Sequence, residues 1–128
     1  MLVVEDDDDI RFMIRYLLEQ RGCRVLEAAD RLGALEVAQS FRPDLILMDI
    51  SLPGLDGIGA LSLIRARTEL HVAPVVAVSG HAAAEDIAAA RAAGFDDYLV
   101  KPLEIARLDH VLVKHLPREK SAEFGAAS

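Results

Sequence analysis

The sequence predicts an open, doubly wound α/β fold, in which a parallel sheet carries helices on both faces. Five short runs rich in Val, Ile and Leu alternate along the chain with longer segments of helical period. These runs lack polar alternation, which is typical of parallel strands that are covered on both sides. Five strand-then-helix units in about 115 residues imply right-handed crossovers between neighbouring strands.

The predicted strands are the apolar runs at residues 2–4, 24–26, 45–48, 75–78 and 98–100. The first predicted helix follows the first strand, because apolar residues recur there at spacings of three and four and mark one helical face. These residues are Ile10, Met13, Ile14, Leu17 and Leu18. We expect Gly22 to end this helix.

The later helices have weaker patterns. Apolar positions mark the second and third helices, at Leu32, Leu35 and Ala38 and at Leu61 and Ile64. The fourth helix, near residues 84–93, is rich in alanine, and Gly94 is expected to close it. The fifth begins near residue 103, with an apolar side made of Ile105, Leu108, Leu112 and Leu116.

The composition fits one globular domain. Hydrophobic residues make up 52% of the 128 residues, which is enough for a core, and we assign the domain to residues 1–116. Residues 117–128 have no period and are expected to form a mobile tail or linker. The net charge of -7 argues against sequence-independent binding to nucleic acid or to anionic membranes. A lone cysteine, an acidic start and no long apolar run favour a cytoplasmic protein without membrane insertion.

Polar residues follow four of the five predicted strands. Glu5 and Asp6 follow the first strand, Asp49 the third, Ser79 the fourth and Lys101 the fifth. In a parallel sheet these positions share the carboxyl edge, where open α/β folds place their ligands. The sequence therefore predicts one site at this edge.

The predicted site requires positive charge. Two carboxylates about 4 Å apart repel by roughly 4 kcal/mol at an effective dielectric constant of 20. Lys101 supplies one positive charge, and a hard cation such as Mg²⁺ would supply two more through oxygen ligands. An acidic edge with Mg²⁺, a lysine and a hydroxyl suits a phosphoryl group.

Four motifs in order make the chain resemble the receiver domain of two-component response regulators. Residues 4–7 read Val-Glu-Asp-Asp, and residues 44–57 read Asp-Leu-Ile-Leu-Met-Asp-Ile-Ser-Leu-Pro-Gly-Leu-Asp-Gly. Residues 78–80 read Val-Ser-Gly, and residues 97–102 read Asp-Tyr-Leu-Val-Lys-Pro. The resemblance covers residues 1 to about 116 and implies a flavodoxin-like sheet of strand order 2-1-3-4-5 with five helices.

The resemblance implies that Asp49 is the phosphoacceptor, a carboxylate nucleophile that forms an aspartyl phosphate. Glu5, Asp6, Asp49 and the backbone carbonyl of Ser51 would hold Mg²⁺, with Mn²⁺ as an alternative ion. Lys101 would pair first with Asp49 and then with a phosphoryl oxygen. Glu5 replaces the commoner aspartate of the family, which lengthens this side chain by one methylene.

The resemblance also implies a conformational switch. The Ser79 hydroxyl, where the family commonly has threonine, would turn onto the phosphoryl group, and Tyr98 would move inward behind it. This movement would couple the site to the face formed by the fourth helix, the fifth strand and the fifth helix. Gly80 would keep access to the acceptor open, and the bond from Lys101 to Pro102 would be cis.

Two further positions and the partners follow from the same resemblance. Ser51 and His81 occupy positions that influence how fast the acyl phosphate hydrolyses. The phosphoryl group would come from a sensor histidine kinase or a histidine phosphotransfer protein and would signal to a downstream protein or an attached effector domain. The domain would be a signalling phosphoacceptor that catalyses only its own phosphorylation and slow autodephosphorylation, and a homodimer through the fourth and fifth helices is a candidate assembly.

Several residues have simpler interpretations. Asp7, Asp8 and Asp9 favour a helix N-terminus through the helix dipole, and solvated or packing roles are expected for His71, His110 and His115. Two other functions stay open: a binding module that signals without phosphate, and a phosphatase with a transient Asp49 nucleophile. Phosphatases of the haloacid dehalogenase type carry a second aspartate two residues after the nucleophile, where this chain has Ser51.

Overall fold

The computed structural model describes residues 1–50, 61–62, 65–66, 73–81 and 83–116, and only the main chain at residue 31. The strands are β1 (Leu2–Val4), β2 (Leu26–Ala28), β3 (Ile46–Asp49), β4 (Val75–Ser79) and β5 (Asp97–Val100). The helices are α1 (Asp8–Glu19), α2 (Arg31–Phe41), α3 (Ala84–Ala93) and α4 (Ile105–His115). The fourth and fifth predicted helices are thus α3 and α4.

Four helices lie in the described residues, where five were expected. The predicted third helix, around Leu61 and Ile64, falls largely outside these residues, as does the predicted tail 117–128. Part of the third helix is described, since the Ala66 N–H donates to the Ser62 carbonyl at 3.0 Å, as in one helical turn. None of the helices in the described ranges is long and apolar enough to cross a membrane.

The five strands form one parallel sheet in the order β2-β1-β3-β4-β5, which confirms the predicted strand order. Alternate residues of each strand point to opposite faces, and both faces are buried. One face packs with α2 and α3 through Val4, Met48 and Ala77, and the other packs with α1 and α4 through Val3, Leu47 and Val78. The apolar strand sequences thus reflect a sheet covered on both sides.

Local capping sets where the helices begin and end. The Asp7 carboxylate accepts hydrogen bonds from the main-chain N–H groups of Asp9 (2.9 Å) and Ile10 (3.0 Å), so Asp7 is the N-cap of α1. This confirms the structural interpretation of the acidic run. Gly94 closes α3 with a φ of 111°, a left-handed conformation that glycine adopts without strain.

Three residues of the predicted apolar faces are exposed instead. Met13, Leu32 and Ile105 face solvent, whereas Ile14, Ala34, Ala38 and Leu108 lie in the core. On α2 the buried pair is alanine, because small residues at a spacing of four let the helix approach the sheet closely. Ile105 is the first residue of α4, and the buried contacts of that helix begin at Leu108.

Candidate functional site

The sheet register brings the predicted polar residues to one edge. Val4 lies opposite Met48, so Glu5 and Asp49 end neighbouring strands at the same level. Ser79 lies opposite Val100, and the Lys101 N–H donates to the Ser79 carbonyl at 2.8 Å. The carboxyl ends of β1, β3, β4 and β5 therefore bring Glu5, Asp49, Ser79 and Lys101 to the same edge of the sheet.

Lys101 links two buried carboxylates. Its ammonium donates to Glu5 Oε1 at 2.8 Å and also contacts Asp49 Oδ2. The side chains of Glu5 and Asp49 are 1% and 2% exposed, whereas that of Lys101 is 22% exposed. The glutamate also accepts from the Asp7 N–H at 3.2 Å through Oε2. Charged groups with so little access to water are stable only when they are paired.

Among the described residues of this edge, one ammonium contacts two buried carboxylates, so their formal charges do not balance. Burial raises the pKa of Glu5 above its ordinary value, and the neighbouring Asp49 raises it further. Burial would lower the pKa of Lys101, but its hydrogen bonds to Asp49 and Glu5 outweigh that effect and raise it. The site therefore holds surplus negative charge, which favours the binding of a cation.

Two predicted metal ligands remain, the Asp6 carboxylate and the Ser51 carbonyl. Asp6 follows Glu5 and is exposed, and none of the described contacts of the Lys101 ammonium involves it. Ser51 lies outside the described residues. Within the described ranges, no three acidic, histidine or cysteine side chains already form a metal-binding group. The donor set still fits Mg²⁺, because buried carboxylate oxygens with surplus negative charge are the ligands that this ion prefers.

A second set of contacts joins Ser79 to Tyr98 through the main chain of His81. The Ser79 hydroxyl accepts from the His81 N–H at 3.1 Å, and the Tyr98 hydroxyl donates to the His81 carbonyl at 2.7 Å. The imidazole of His81 contributes neither contact, and the residue is exposed. The ring of Tyr98 is already buried, whereas the resemblance implied an inward movement on phosphorylation.

Gly80 and Pro102 lie at the predicted places beside the site. A Cβ atom built on Gly80 would meet no described atom within 4 Å, so a side chain there would extend into open space. The peptide bond between Lys101 and Pro102 is cis, as the resemblance implied. The open space at Gly80 agrees with an accessible edge at the end of β4.

The motifs in the sequence did not indicate one cluster of charges. Asp97, at the start of β5, lies 3.0 Å from His115 Nε2, 3.5 Å from Arg91 and 3.7 Å from Lys114. Its carboxylate also accepts from the Tyr98 N–H at 2.9 Å. Burial alone would raise the pKa of Asp97, but His115, the Tyr98 N–H and Lys114 together lower it. The basic residues in the last turn of α4, Lys114 and His115, are the sequence feature that could have indicated this cluster.

We expect the Asp97 cluster to make stability depend on pH in acid. A carboxyl group whose pKa is lowered in the folded state stabilises the protein above its ordinary value of 3.8, and this contribution disappears as the pH falls below it. Asp97→Asn should lower the free energy of unfolding at pH 7 by about 2 kcal/mol. Urea denaturation between pH 7 and pH 3 should show this difference shrinking in acid.

The matched control for that variant is Glu36→Gln, because Glu36 is an exposed carboxylate on α2. The control should stay within about 0.5 kcal/mol of the wild type. An Asp97→Asn protein that is as stable as the control at pH 7 would contradict the stabilising role of the cluster.

Comparison with known proteins identifies the class that this fold and site define. Residues 1–113 match the family model of the response regulator receiver domain. The chain therefore belongs to the response regulator receiver domain family, whose members are signalling proteins of two-component systems.

Individual relatives agree with this assignment. The transcriptional regulatory protein CseB of Streptomyces coelicolor is 40% identical over 116 residues, which cover 88% of this chain and 48% of CseB. The receiver domain of the sensor histidine kinase PA1611 from Pseudomonas aeruginosa, with a magnesium ion in its active site cleft, is 37% identical. It has a TM-score of 0.81, and the match covers 89% of this chain and 93% of that domain.

The chemotaxis protein CheY4 of Vibrio cholerae has a TM-score of 0.83 and is 30% identical, and the match covers 90% of this chain and 96% of that one. The sheet order and the layering of this chain are thus those of known receiver domains. The chain spans about half the length of the transcriptional regulator that it matches.

Proposed function

We propose that this chain accepts a phosphoryl group onto Asp49 in a Mg²⁺-dependent reaction and signals through a conformational change. The observation that carries the proposal is the contact between the buried Asp49 carboxylate and the Lys101 ammonium at the carboxyl edge of the sheet. Glu5 shares that ammonium and leaves the site with surplus negative charge. This combination supports a nucleophilic carboxylate beside groups that would bind a cation and a phosphoryl group.

In the proposed reaction an Asp49 oxygen attacks the phosphorus atom of a phosphohistidine. The new O–P bond forms as the P–N bond breaks, and the histidine ring keeps the bonding electrons. Lys101 then balances charge on the transferred oxygens. Glu5, Asp6, Asp49 and the Ser51 carbonyl would hold Mg²⁺, or Mn²⁺ in its place, and the bound ion would supply further positive charge to those oxygens.

The signal would pass from Ser79 to the surface formed by α3, β5 and α4. The Ser79 hydroxyl would move to donate to the phosphoryl group, and the His81 N–H that it contacts would move with it. This would shift the main chain of His81, whose carbonyl accepts from the Tyr98 hydroxyl. A phosphoryl dianion favours that arrangement over the unphosphorylated one and so changes the population of the two states. Ser51 and His81 are proposed to tune the slow hydrolysis of the acyl phosphate.

The proposed partners follow from this chemistry and from the relatives. The donor would be a sensor histidine kinase or a histidine phosphotransfer protein, and the output a downstream protein or an attached effector domain. We propose residues 1–116 as the receiver domain and residues 117–128 as a linker, in a cytoplasmic protein that does not itself bind nucleic acid. A homodimer through α3 and α4 remains part of this proposal.

The proposal is tested by incubating the protein with Mg²⁺ and acetyl phosphate or phosphoramidate. We expect one phosphoryl group per chain by mass spectrometry, in an adduct that is stable to acid and labile to base. Chelation of Mg²⁺ with EDTA should prevent its formation.

Other outcomes would point elsewhere. Absence of any adduct would favour a binding module that signals through protein contacts alone. Repeated turnover of small phosphate esters would favour a phosphatase. Either result would overturn the proposed function.

A further inference from the structure

The side chain of Arg11 reaches back from the first turns of α1 to the acidic end of β1. Its Nη1 atom donates to the main-chain carbonyl of Glu5 at 2.8 Å. Another nitrogen contacts the Asp8 carboxylate, and Nε lies 3.6 Å from Glu27 Oε1. The side chain is only 18% exposed. A planar guanidinium held by carboxylates on two sides has little freedom, so it fixes the carbonyl that it contacts.

The carbonyl held by Arg11 belongs to the peptide unit that joins Glu5 to Asp6. The peptide unit is planar, so its orientation sets the direction in which both α-carbon atoms present their side chains. Glu5 is also held on its other side, since its N–H donates to the Ala28 carbonyl at 3.0 Å. The main chain between the two acidic residues is therefore held from the sheet and from α1.

Asp6 depends on this support more than Glu5 does. The carboxylate of Glu5 is fixed by Lys101 and by the Asp7 N–H. Asp6 is exposed, and among the contacts described here its carboxylate has no comparable partner. The direction of its Cα–Cβ bond is set by the main chain, which determines where the carboxylate can reach. Mg²⁺ requires nearly ideal octahedral ligand positions, so a rotated peptide unit would weaken its binding.

We propose that Arg11 is a positioning residue for the metal site, which acts through the Glu5 carbonyl to orient Glu5 and Asp6. This inference rests on the proposed function, because it assumes that these acidic residues bind Mg²⁺. Partners that orient metal ligands typically contribute 10-fold to 100-fold to metal affinity. Arg11 thus acts on the site through the main chain of Glu5.

The proposal and simple electrostatics predict opposite results for Arg11→Met. Removal of a positive charge near an acidic site should strengthen cation binding if charge alone matters. Loss of the positioning contact should weaken Mg²⁺ binding by about 10-fold. Arg15→Met is the matched control, because Arg15 also binds Glu27, at 2.9 Å, but makes no described contact with the Glu5 carbonyl. Its Mg²⁺ affinity should equal or exceed that of the wild type.

Calorimetric titration of the unphosphorylated proteins with MgCl₂ measures these affinities directly. Phosphorylation by acetyl phosphate provides a second readout. The Mg²⁺ concentration for half-maximal rate should rise by about 10-fold in Arg11→Met, whereas the rate at saturating Mg²⁺ should match the wild type. Arg11→Lys, which keeps the charge but not the planar fork, should lie between the two and serves if Arg11→Met does not fold.

The outcomes test the positioning role of Arg11 and the proposed function separately. Unchanged or tighter Mg²⁺ binding by the folded Arg11 variants, with a wild type that binds the ion, would overturn the positioning role and leave the proposed function intact. A wild type that binds no Mg²⁺ would overturn the proposed function itself.

Discussion

Replacement of Asp49 by asparagine should abolish the phosphoryl adduct while the protein remains folded. Asparagine has the same shape but lacks the nucleophilic carboxylate oxygen, so no acyl phosphate can form at this position. The expected loss is complete, because catalysis by Lys101 and the metal site requires an acceptor. Mass spectrometry after incubation with Mg²⁺ and acetyl phosphate measures the result.

Asp97→Asn is the matched control for this variant. It makes the same chemical change in another buried aspartate of the sheet, at the opposite end of β5, which is separated from β3 by β4. The control should keep the adduct although it is less stable. An Asp49→Asn protein that still gains one phosphoryl group would place the acceptor elsewhere and contradict the assignment.

The stability of Asp49→Asn provides an independent check. Burial and the proximity of Asp49 both raise the pKa of Glu5, so removal of one charge relieves repulsion and leaves a neutral pair of Glu5 and Lys101. Without metal, the melting temperature should rise, by an amount equivalent to about 1 kcal/mol. The stabilisation by Mg²⁺ should decrease, since one ligand has lost its charge.

Replacement of Lys101 by methionine should have the largest effect on stability. The two carboxylates that the ammonium contacts are almost completely buried, and the variant would remove the positive charge that they share. Removal of one member of a buried charge cluster typically costs about 3 kcal/mol or more. We expect the free energy of unfolding at pH 7, measured by urea denaturation without metal, to fall by about 3 kcal/mol.

The predicted loss in Lys101→Met should depend on pH with a defined sign. Lys101 lowers the pKa of Glu5, so its removal raises that pKa further above the ordinary value of 4.5. A carboxyl group with a raised pKa in the folded state destabilises the protein at neutral pH, and stability returns as the pH falls toward the ordinary value. The gap between variant and wild type should therefore shrink between pH 7 and pH 5.

Two controls separate this electrostatic effect from loss of packing. Lys114→Met removes a lysine that is 52% exposed beside Asp97 and should cost less than about 1 kcal/mol. The double variant Asp49→Asn/Lys101→Met should recover part of the lost stability, because one of the two buried negative charges is removed. If Lys101→Met proved as stable as the wild type at pH 7, the buried charge cluster could not have the proposed energetic role.

The residues at the carboxyl edge were predictable because each follows a strand directly. Once Val4, Met48 and Val100 are assigned to parallel strands, the residues that follow them must lie at the same edge of the sheet, however the helices pack. The sequence therefore identified Glu5, Asp49 and Lys101 as neighbours, and the structure confirms their contacts. Asp7 was also predicted correctly as a helix N-terminal residue, since capping is a local interaction.

The charge cluster of Asp97 and the contact of Arg11 with the Glu5 carbonyl could not be predicted in this way. Asp97 meets Arg91, Lys114 and His115 only after α3 and α4 have packed beside β5. The spacing of residues along a helix does not show which of its faces packs against the end of a given strand.

The sequence by itself determined the sheet and the set of residues at its carboxyl edge, because strand period, capping and chain connectivity are local properties. Only the tertiary structure decided how deeply these charges are buried, which ion pairs Asp97 forms and which apolar side chains of the helices are exposed. Burial and long-range ion pairs depend on how separate elements pack, and this is the physical reason why Asp97 contacts His115 and why Met13 is exposed.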